Sequence, residues 1–127
     1  MSTVVTTKHQ RQDIEKLRRQ DMLLGIIYLF SPLHSEISIQ DIYKSVHCVQ
    51  GKLKLGYSFS KHFNYSDKLI GDMEDLLNAG LLQEYTYRQD SFSPVEKLKL
   101  TVTGSDRGKK TVSQLPVDLL EYLEDAQ

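Results

Sequence analysis

The sequence predicts an α+β fold, and three patterns in its 127 residues support this class. Apolar residues recur at steps of three and four in several segments, as is typical of helices packed on a core. Two later segments alternate apolar and polar residues, as is typical of strands. One helical pattern ends at a glycine and leads directly into an alternating segment. This order is found where the wing of a winged helix begins, so we expect a winged helix-turn-helix with an inserted strand and extra N- and C-terminal helices.

A helix over residues 66–79 is the element around which the prediction is built. Ser66 is a favourable N-cap residue, and Asp67 complements the positive end of the helix dipole. Gly80 can adopt the left-handed conformation that commonly ends a helix. The apolar stripe of this helix consists of Leu69, Ile70, Met73, Leu76 and Leu77.

Two helices are expected before it. Residues 1–9 form a flexible leader, and a first helix follows over 12–30. It ends before Pro32, because proline disfavours a helical conformation in the residue that precedes it. A second helix is expected over 38–50, with a capping pattern at its start and Gly51 at its end.

Residues 52–63 form a connection that a plain helix-turn-helix lacks, since that motif has only a short turn between its two helices. Apolar and polar or small residues alternate here, which predicts an inserted strand or an extended, half-buried segment. The alternating apolar residues are Leu53, Leu55, Tyr57 and Phe59.

Two strands are expected after the third helix, over residues 82–88 and 95–102. The turn-rich residues 89–94 join them, so the pair reads as a hairpin that would form the wing. A short polar helix is expected from Thr103 to Ser113.

A last helix is expected over residues 115–127, and it has a distinct apolar side. Because terminal helices of winged-helix domains often pair, a homodimer formed through this side is one prediction. The residues concerned are Leu119, Leu120 and Leu123.

Composition limits the class of protein. With 39% hydrophobic and 26% charged residues, the chain suits one domain over residues 1–127. Its single cysteine, Cys48, excludes an internal disulfide framework and favours a reducing, cytoplasmic compartment. The longest apolar run, 22–30, is too short to span a membrane, so no membrane partner is expected.

Charge is divided into blocks although the net charge is only −1. Residues 66–84 carry five acids and one lysine. The second helix of a DNA-reading helix-turn-helix enters the major groove, and phosphate contacts require cations. The helix at 66–79 is therefore a poor reader, and duplex DNA would have to be contacted by basic residues of the inserted strand and the wing. These candidates are Lys52, Lys54, Lys61, Arg88, Lys97 and Lys99.

Two functions follow from this distribution. The first is a small non-enzymatic DNA-binding transcriptional regulator. The alternative is a protein–protein adaptor or antitoxin-like subunit that binds its partner through Asp67, Asp72 and Asp75. The basic residues could also be no more than solvated outer faces.

No pattern in the sequence indicates an enzyme. The four histidines are scattered without metal-ligand spacing, and no glycine-rich phosphate loop is present. We therefore expect no catalytic residue, no metal site and no cofactor.

The run YSFSKHFNYSDKLIGDMEDLLNAGLLQEY resembles the middle of the YwgA-like and Panacea (SocA-like antitoxin) winged-helix domains. In those domains an aromatic strand leads to a Gly-Pro-Tyr-Ser turn, a helix with an aspartate and a Leu-x-x-x-Gly-Leu-Leu ending. Here residues 64–66 stand for the turn without its Gly-Pro pair, Asp72 for the aspartate and residues 76–82 for the ending. The resemblance implies a winged helix used as an adaptor or regulator.

Overall fold

The computed structural model describes residues 8–31, 36–59, 66–87 and 95–126. Within these ranges it contains five helices and three strands. In chain order they are α1 (Lys8–Phe30), β1 (Ile37–Ser38), α2 (Ile39–Leu53), α3 (Asp67–Asn78), β2 (Leu82–Tyr87), β3 (Val95–Leu100), α4 (Val102–Ser113) and α5 (Val117–Ala126).

The strands form one antiparallel sheet in the order β1-β3-β2. Ile37 of β1 lies opposite Leu98 of β3, and Leu82 of β2 lies opposite Leu100. Because directly opposite residues share a face, these four apolar side chains lie on one face of the sheet. That face meets the helices, and the α+β class is confirmed.

The core lies between this face of the sheet and helices α1, α2 and α3. The C-terminal half of α1 is buried on more than one side, and α2 and α3 each contribute a stripe. The largest fully buried side chains are Leu23, Leu24, Ile26, Ile27, Ile42, Val46, Val49, Leu69, Leu76, Leu98 and Leu123. In the described part of the chain, no helix is both long and apolar enough to cross a membrane.

Both predicted N-caps are confirmed. The Ser38 hydroxyl accepts a hydrogen bond from the Asp41 N–H at 3.1 Å, and the Ser66 hydroxyl accepts one from the Leu69 N–H at 3.4 Å. Each bond satisfies an N–H group that the first turn leaves without a helical partner. The sequence therefore fixes where α2 and α3 begin.

Three boundary predictions are wrong. Helix α2 does not end at Gly51 but continues to Leu53, where Lys54 takes a left-handed conformation with φ 55° and its N–H donates to the Gln50 carbonyl. The helix predicted over 12–30 begins four residues earlier, at Lys8. The strand predicted over 95–102 ends at Leu100, because Val102 already belongs to α4.

The inserted strand is also wrong for the described residues 54–59, while the alternative of an extended, half-buried segment is confirmed there. Leu55 and Tyr57 are buried, Gly56 and Ser58 are exposed, and Phe59 is partly buried against the core. The N–H groups of Leu55 and Tyr57 donate to the backbone and side chain of Gln50, and none of the strands in the described part of the chain pairs with this segment. Residues 60–63 of the predicted strand lie outside the described residues.

Helix α4 packs closely on its neighbours through glycines. A Cβ atom built on Gly104 would overlap the Leu81 carbonyl, and one on Gly108 would lie 2.8 Å from the Leu24 carbonyl of α1. Thr101 caps α4: its hydroxyl accepts from the Gly104 N–H at 3.1 Å and donates to the Gly80 carbonyl at 2.7 Å. The start of α4 is thus tied to the end of α3.

Helix α5 packs against α2 and α1. Leu123 is only 1% exposed and belongs to the core, and Leu119 packs against that core. Much of the side on which a homodimer was predicted is therefore covered within the same chain.

Candidate nucleic-acid interface

Asp72 on α3 is 2% exposed, and its carboxylate accepts hydrogen bonds from side chains of α1 and of the 54–59 segment. From α1, Arg19 donates to both carboxylate oxygens, with Nε 2.7 Å from Oδ2 and Nη2 3.2 Å from Oδ1. The Tyr57 hydroxyl donates to Oδ2 at 2.8 Å. This carboxylate is therefore neutralised and hydrogen-bonded inside the protein.

Asp72, which was predicted to bind a protein partner together with Asp67 and Asp75, does not lie on an exposed acidic surface. Its carboxylate faces α1 and the 54–59 segment, so its oxygens are not available to a partner. The sequence did contain a signal, since Leu69, Asp72, Met73 and Leu76 follow the steps of three and four that define the buried stripe. An acid within such a stripe requires an internal partner.

Tyr57 and Arg19 contact each other as well as Asp72. The Arg19 guanidinium carbon lies 5.7 Å from the centroid of the Tyr57 ring. Burial is the largest cause that raises the pKa of Tyr57 well above its ordinary range, and the hydrogen bond that Tyr57 donates to the Asp72 carboxylate is the second. The hydrogen bond with Asp72 also raises the pKa of Arg19. The three side chains fasten the segment after α2 to both α1 and α3.

Asp75, one turn further along α3, is also held by α1. Lys16 Nζ lies 2.8 Å from Asp75 Oδ2, and Gln20 Nε2 donates to the same oxygen at 3.2 Å. The Lys16 hydrogen bond lowers the pKa of Asp75, and the same bond raises the pKa of Lys16. Asp75 remains half-exposed but is not an unpaired charge.

The fully exposed charges of α3 are therefore fewer than its sequence suggests. Asp67 and Glu74 are exposed acids, and Lys68 is an exposed base. With Asp72 and Asp75 balanced by α1, this leaves a single excess negative charge on the exposed face. Repulsion of a polyanion by α3 is much weaker than a count of its acids predicts.

Lys97 and Lys99 lie together on the outer face of the sheet. They occupy alternate positions of β3, on the side away from Leu98. Lys99 is exposed and lies opposite Gln83, while Lys97 is half-buried and lies opposite Tyr85. Arg88 and residues 89–94 lie outside the described residues.

Lys52 and Lys54 lie elsewhere, at the C-terminal end of α2. Lys52 Nζ is 5.9 Å from the centroid of the Tyr122 ring of α5, and Lys54 follows as the cap of α2. Ser38, beside Lys97 in the sheet, begins α2, so the helical rise places Lys52 about 20 Å further along the helix axis. The two lysine pairs do not form one compact patch, and Lys61 lies outside the described residues.

Metal-ligating geometry is not found in the described ranges, where no group of three or more His, Cys, Asp or Glu side chains could hold an ion. Cys48 is exposed on α2. His47 packs edge-on against Phe59, with ring centroids 4.7 Å apart. His34 and His62 lie outside the described residues.

Sequence reasoning did not identify Arg19 and Gln20 as the partners of the acids on α3. They lie on one face of α1 with Lys16 and the buried Leu23 at steps of three and four residues. Basic and amide residues that continue an apolar stripe are the pattern that could have indicated acids on a facing helix.

Comparisons of the chain with protein-family models, with curated proteins and with solved structures found no match.

Proposed function

We propose that this protein is a small winged-helix regulator that binds double-stranded DNA, acting in the cytoplasm and without enzymatic activity. The order of elements supports the proposal: helix, short strand, two helices and a hairpin, with the first strand added to the hairpin in the order β1-β3-β2. A winged helix has this order, and its hairpin forms the wing.

The observation that carries the DNA-binding proposal is the position of Lys97 and Lys99 on the outer face of the hairpin that follows α3. Cations on a wing supply the phosphate contacts that fix a protein on duplex DNA. The internal pairing of Asp72 and Asp75 supports the same proposal, because it removes the main electrostatic objection to bringing α3 close to phosphates.

The test is fluorescence anisotropy with a labelled duplex at several salt concentrations. We expect the wild type to bind, with an affinity that falls as salt rises because phosphate contacts release counterions. Lys97→Glu with Lys99→Glu should abolish binding. Lys52→Glu with Lys54→Glu gives the same change in net charge at the other end of α2 and should retain most of it.

Absence of wild-type binding at low salt would overturn the proposal. Equal losses in the two double variants would show a general charge effect in place of a contact at the wing. The comparison therefore separates the geometry from the net charge.

The second candidate is a protein–protein adaptor or antitoxin-like subunit. It is favoured by the exposure of Asp67 and Glu74 on α3, since neither acid forms an ion pair with another described residue. Asp67→Lys with Glu74→Lys should then weaken retention of the protein partner in a pull-down. The same variant should bind duplex DNA at least as well as the wild type, because two acids are replaced by cations.

A further inference from the structure

Strand β2 forms one edge of the sheet, since the order β1-β3-β2 leaves it paired on one side only. It is six residues long and contains neither lysine nor proline, whereas β1 at the opposite edge has only two residues. Natural sheets protect long edges with such residues, with bulges or with a covering element, because an unpaired strand is a template for another strand. Within the described ranges, no strand pairs with the outer edge of β2.

The alternation of hydrogen bonds identifies the backbone groups at this edge. The Thr101 N–H donates to the Leu81 carbonyl at 3.2 Å, so these residues form a hydrogen-bonded pair that continues the β2–β3 ladder. In an antiparallel ladder such pairs alternate with pairs that exchange no hydrogen bond. Tyr85 therefore bonds to β3, whereas the N–H and C=O groups of Glu84 and Thr86 point away from it.

The free edge is complementary to the same strand of a second copy. A two-fold axis perpendicular to the sheet pairs the two β2 strands in antiparallel fashion, and directly opposite residues share a face. With the axis at Tyr85, Glu84 lies opposite Thr86 of the second copy, and each such pair can exchange both of its N–H···O bonds. An axis at Glu84 would set two carboxylates opposite each other, which is unfavourable, and an axis at Thr86 would pair fewer residues of the strand.

The axis at Tyr85 also brings the outer faces of both wings to one side. Lys97 and Lys99 of each copy lie on that face, and the two β3 strands are then about 14 Å apart, which is three strand spacings. Glu84 lies on the opposite face of the sheet, with Leu98. The joined sheet would therefore present lysines from both wings, without an acid of β2, to the same duplex.

We propose that two copies of this chain pair through their β2 edges when both are bound to one duplex, so that DNA binding is cooperative. This inference rests on the DNA-binding function proposed above. A junction of one strand with one strand is much smaller than the roughly 1,200–2,000 Å² that a stable protein complex buries. The free chain therefore stays monomeric, and a shared duplex promotes pairing because it raises the effective concentration of the second copy.

The test is sedimentation velocity of the full chain with a fluorescent duplex long enough for two copies. We expect complexes of two chains per duplex to form while free duplex remains, because the second copy binds about tenfold more tightly than the first. A shorter duplex that holds one copy gives the affinity without pairing. Each variant is measured on both duplexes, so a change in overall DNA affinity cancels from their ratio.

Variants at the edge assign the pairing to β2. Thr86→Pro removes an N–H that β3 does not use, and proline is tolerated at such positions of an edge strand. It should keep the wild-type affinity for the short duplex and lose the cooperativity on the long one. Thr86→Glu should lose it too, because the new carboxylate lies opposite Glu84 of the other copy. Glu84→Lys combined with Thr86→Glu should restore it, because opposite charges then face each other.

Independent binding of two wild-type copies would overturn the pairing and leave DNA binding intact, and the β2 edge would then be available to a strand of another protein. Cooperativity that Thr86→Pro and Thr86→Glu both retain would overturn it as well, by placing the contact between copies elsewhere. Absence of wild-type binding to either duplex would overturn the DNA-binding function together with the pairing. The failures of the two proposals are therefore distinguishable.

Discussion

Arg19 of α1 and Asp72 of α3 form a two-point ion pair that holds these helices together from 53 residues apart in sequence. The Asp72 residue is 2% exposed, and the Arg19 side chain is 14% exposed. Losing one partner of such a pair leaves an uncompensated buried charge, whereas replacing both partners by apolar groups can be nearly neutral. Substituting one partner should therefore destabilise the protein more than substituting both by apolar residues.

Arg19→Met should lower the free energy of unfolding by about 3–5 kcal/mol, since the Asp72 carboxylate would stay buried without its cationic partner. Arg19→Met with Asp72→Leu should recover most of that loss. Urea denaturation at neutral pH measures both. Arg18→Met, which removes an exposed neighbour, is the control and should change stability by no more than about 0.5 kcal/mol. A double variant no more stable than the single one would contradict this role for the pair.

Tyr57→Phe should lower the free energy of unfolding by about 1.5–3 kcal/mol, because it removes a hydrogen bond to a buried charged group. The substitution should also change how the stability of the protein depends on pH in the alkaline range. The folded protein raises the pKa of Tyr57, so the stability from this tyrosine is complete below its unfolded pKa of about 10 and is lost as pH rises above that value.

Wild-type stability should therefore fall more steeply above pH of about 10 than that of Tyr57→Phe. Thermal unfolding followed from neutral to alkaline pH checks this. Parallel curves for wild type and Tyr57→Phe would show that the Tyr57 hydroxyl is not coupled to folding as the structure implies.

The sequence predicted the elements whose local signals agree with their packing. The serine caps of α2 and α3 and the hairpin after Gly80 were found because cap chemistry and periodicity are local. Strand β1 was missed, since two residues are too few to show a period. The inserted strand failed because alternation predicts an extended half-buried chain but cannot reveal whether a neighbouring strand is present.

The candidate site was predicted less well, because a sequence shows charges without their partners. The structure exposes Asp67, buries Asp72 and pairs Asp75 with Lys16, and of these three outcomes only the burial of Asp72 had a signal in the sequence, its place in the apolar stripe. Pairing between α1 and α3 depends on their packing geometry, which periodicity does not give. The basic residues also lie in two places, because α2 continues past Gly51 and Lys52 therefore lies at the far end of this helix from the sheet.

Gly104→Ala should destabilise the protein by about 1–3 kcal/mol or more, because its Cβ would overlap the Leu81 carbonyl, a backbone group that cannot move without shifting the end of α3. Gly71→Ala is the matched control within α3. A Cβ there meets no atom within 4 Å, so alanine should raise the stability by about 0.5–1 kcal/mol. Urea denaturation should give opposite signs for the two variants. Equal effects would contradict the close approach of α4 to Leu81.

Leu123→Ala should lower the free energy of unfolding by about 2–5 kcal/mol, because Leu123 is 1% exposed and its removal leaves a cavity beneath α5. Val117→Ala on the same helix is the control, since Val117 is 71% exposed, and it should change stability by no more than about 0.5 kcal/mol. Light scattering adds a second readout. The wild type should have the mass of one chain, 14.6 kDa, because Leu123 and Leu119 pack within their own chain. A two-chain mass that Leu123→Ala reduced to one would instead place this side of α5 in a homodimer interface.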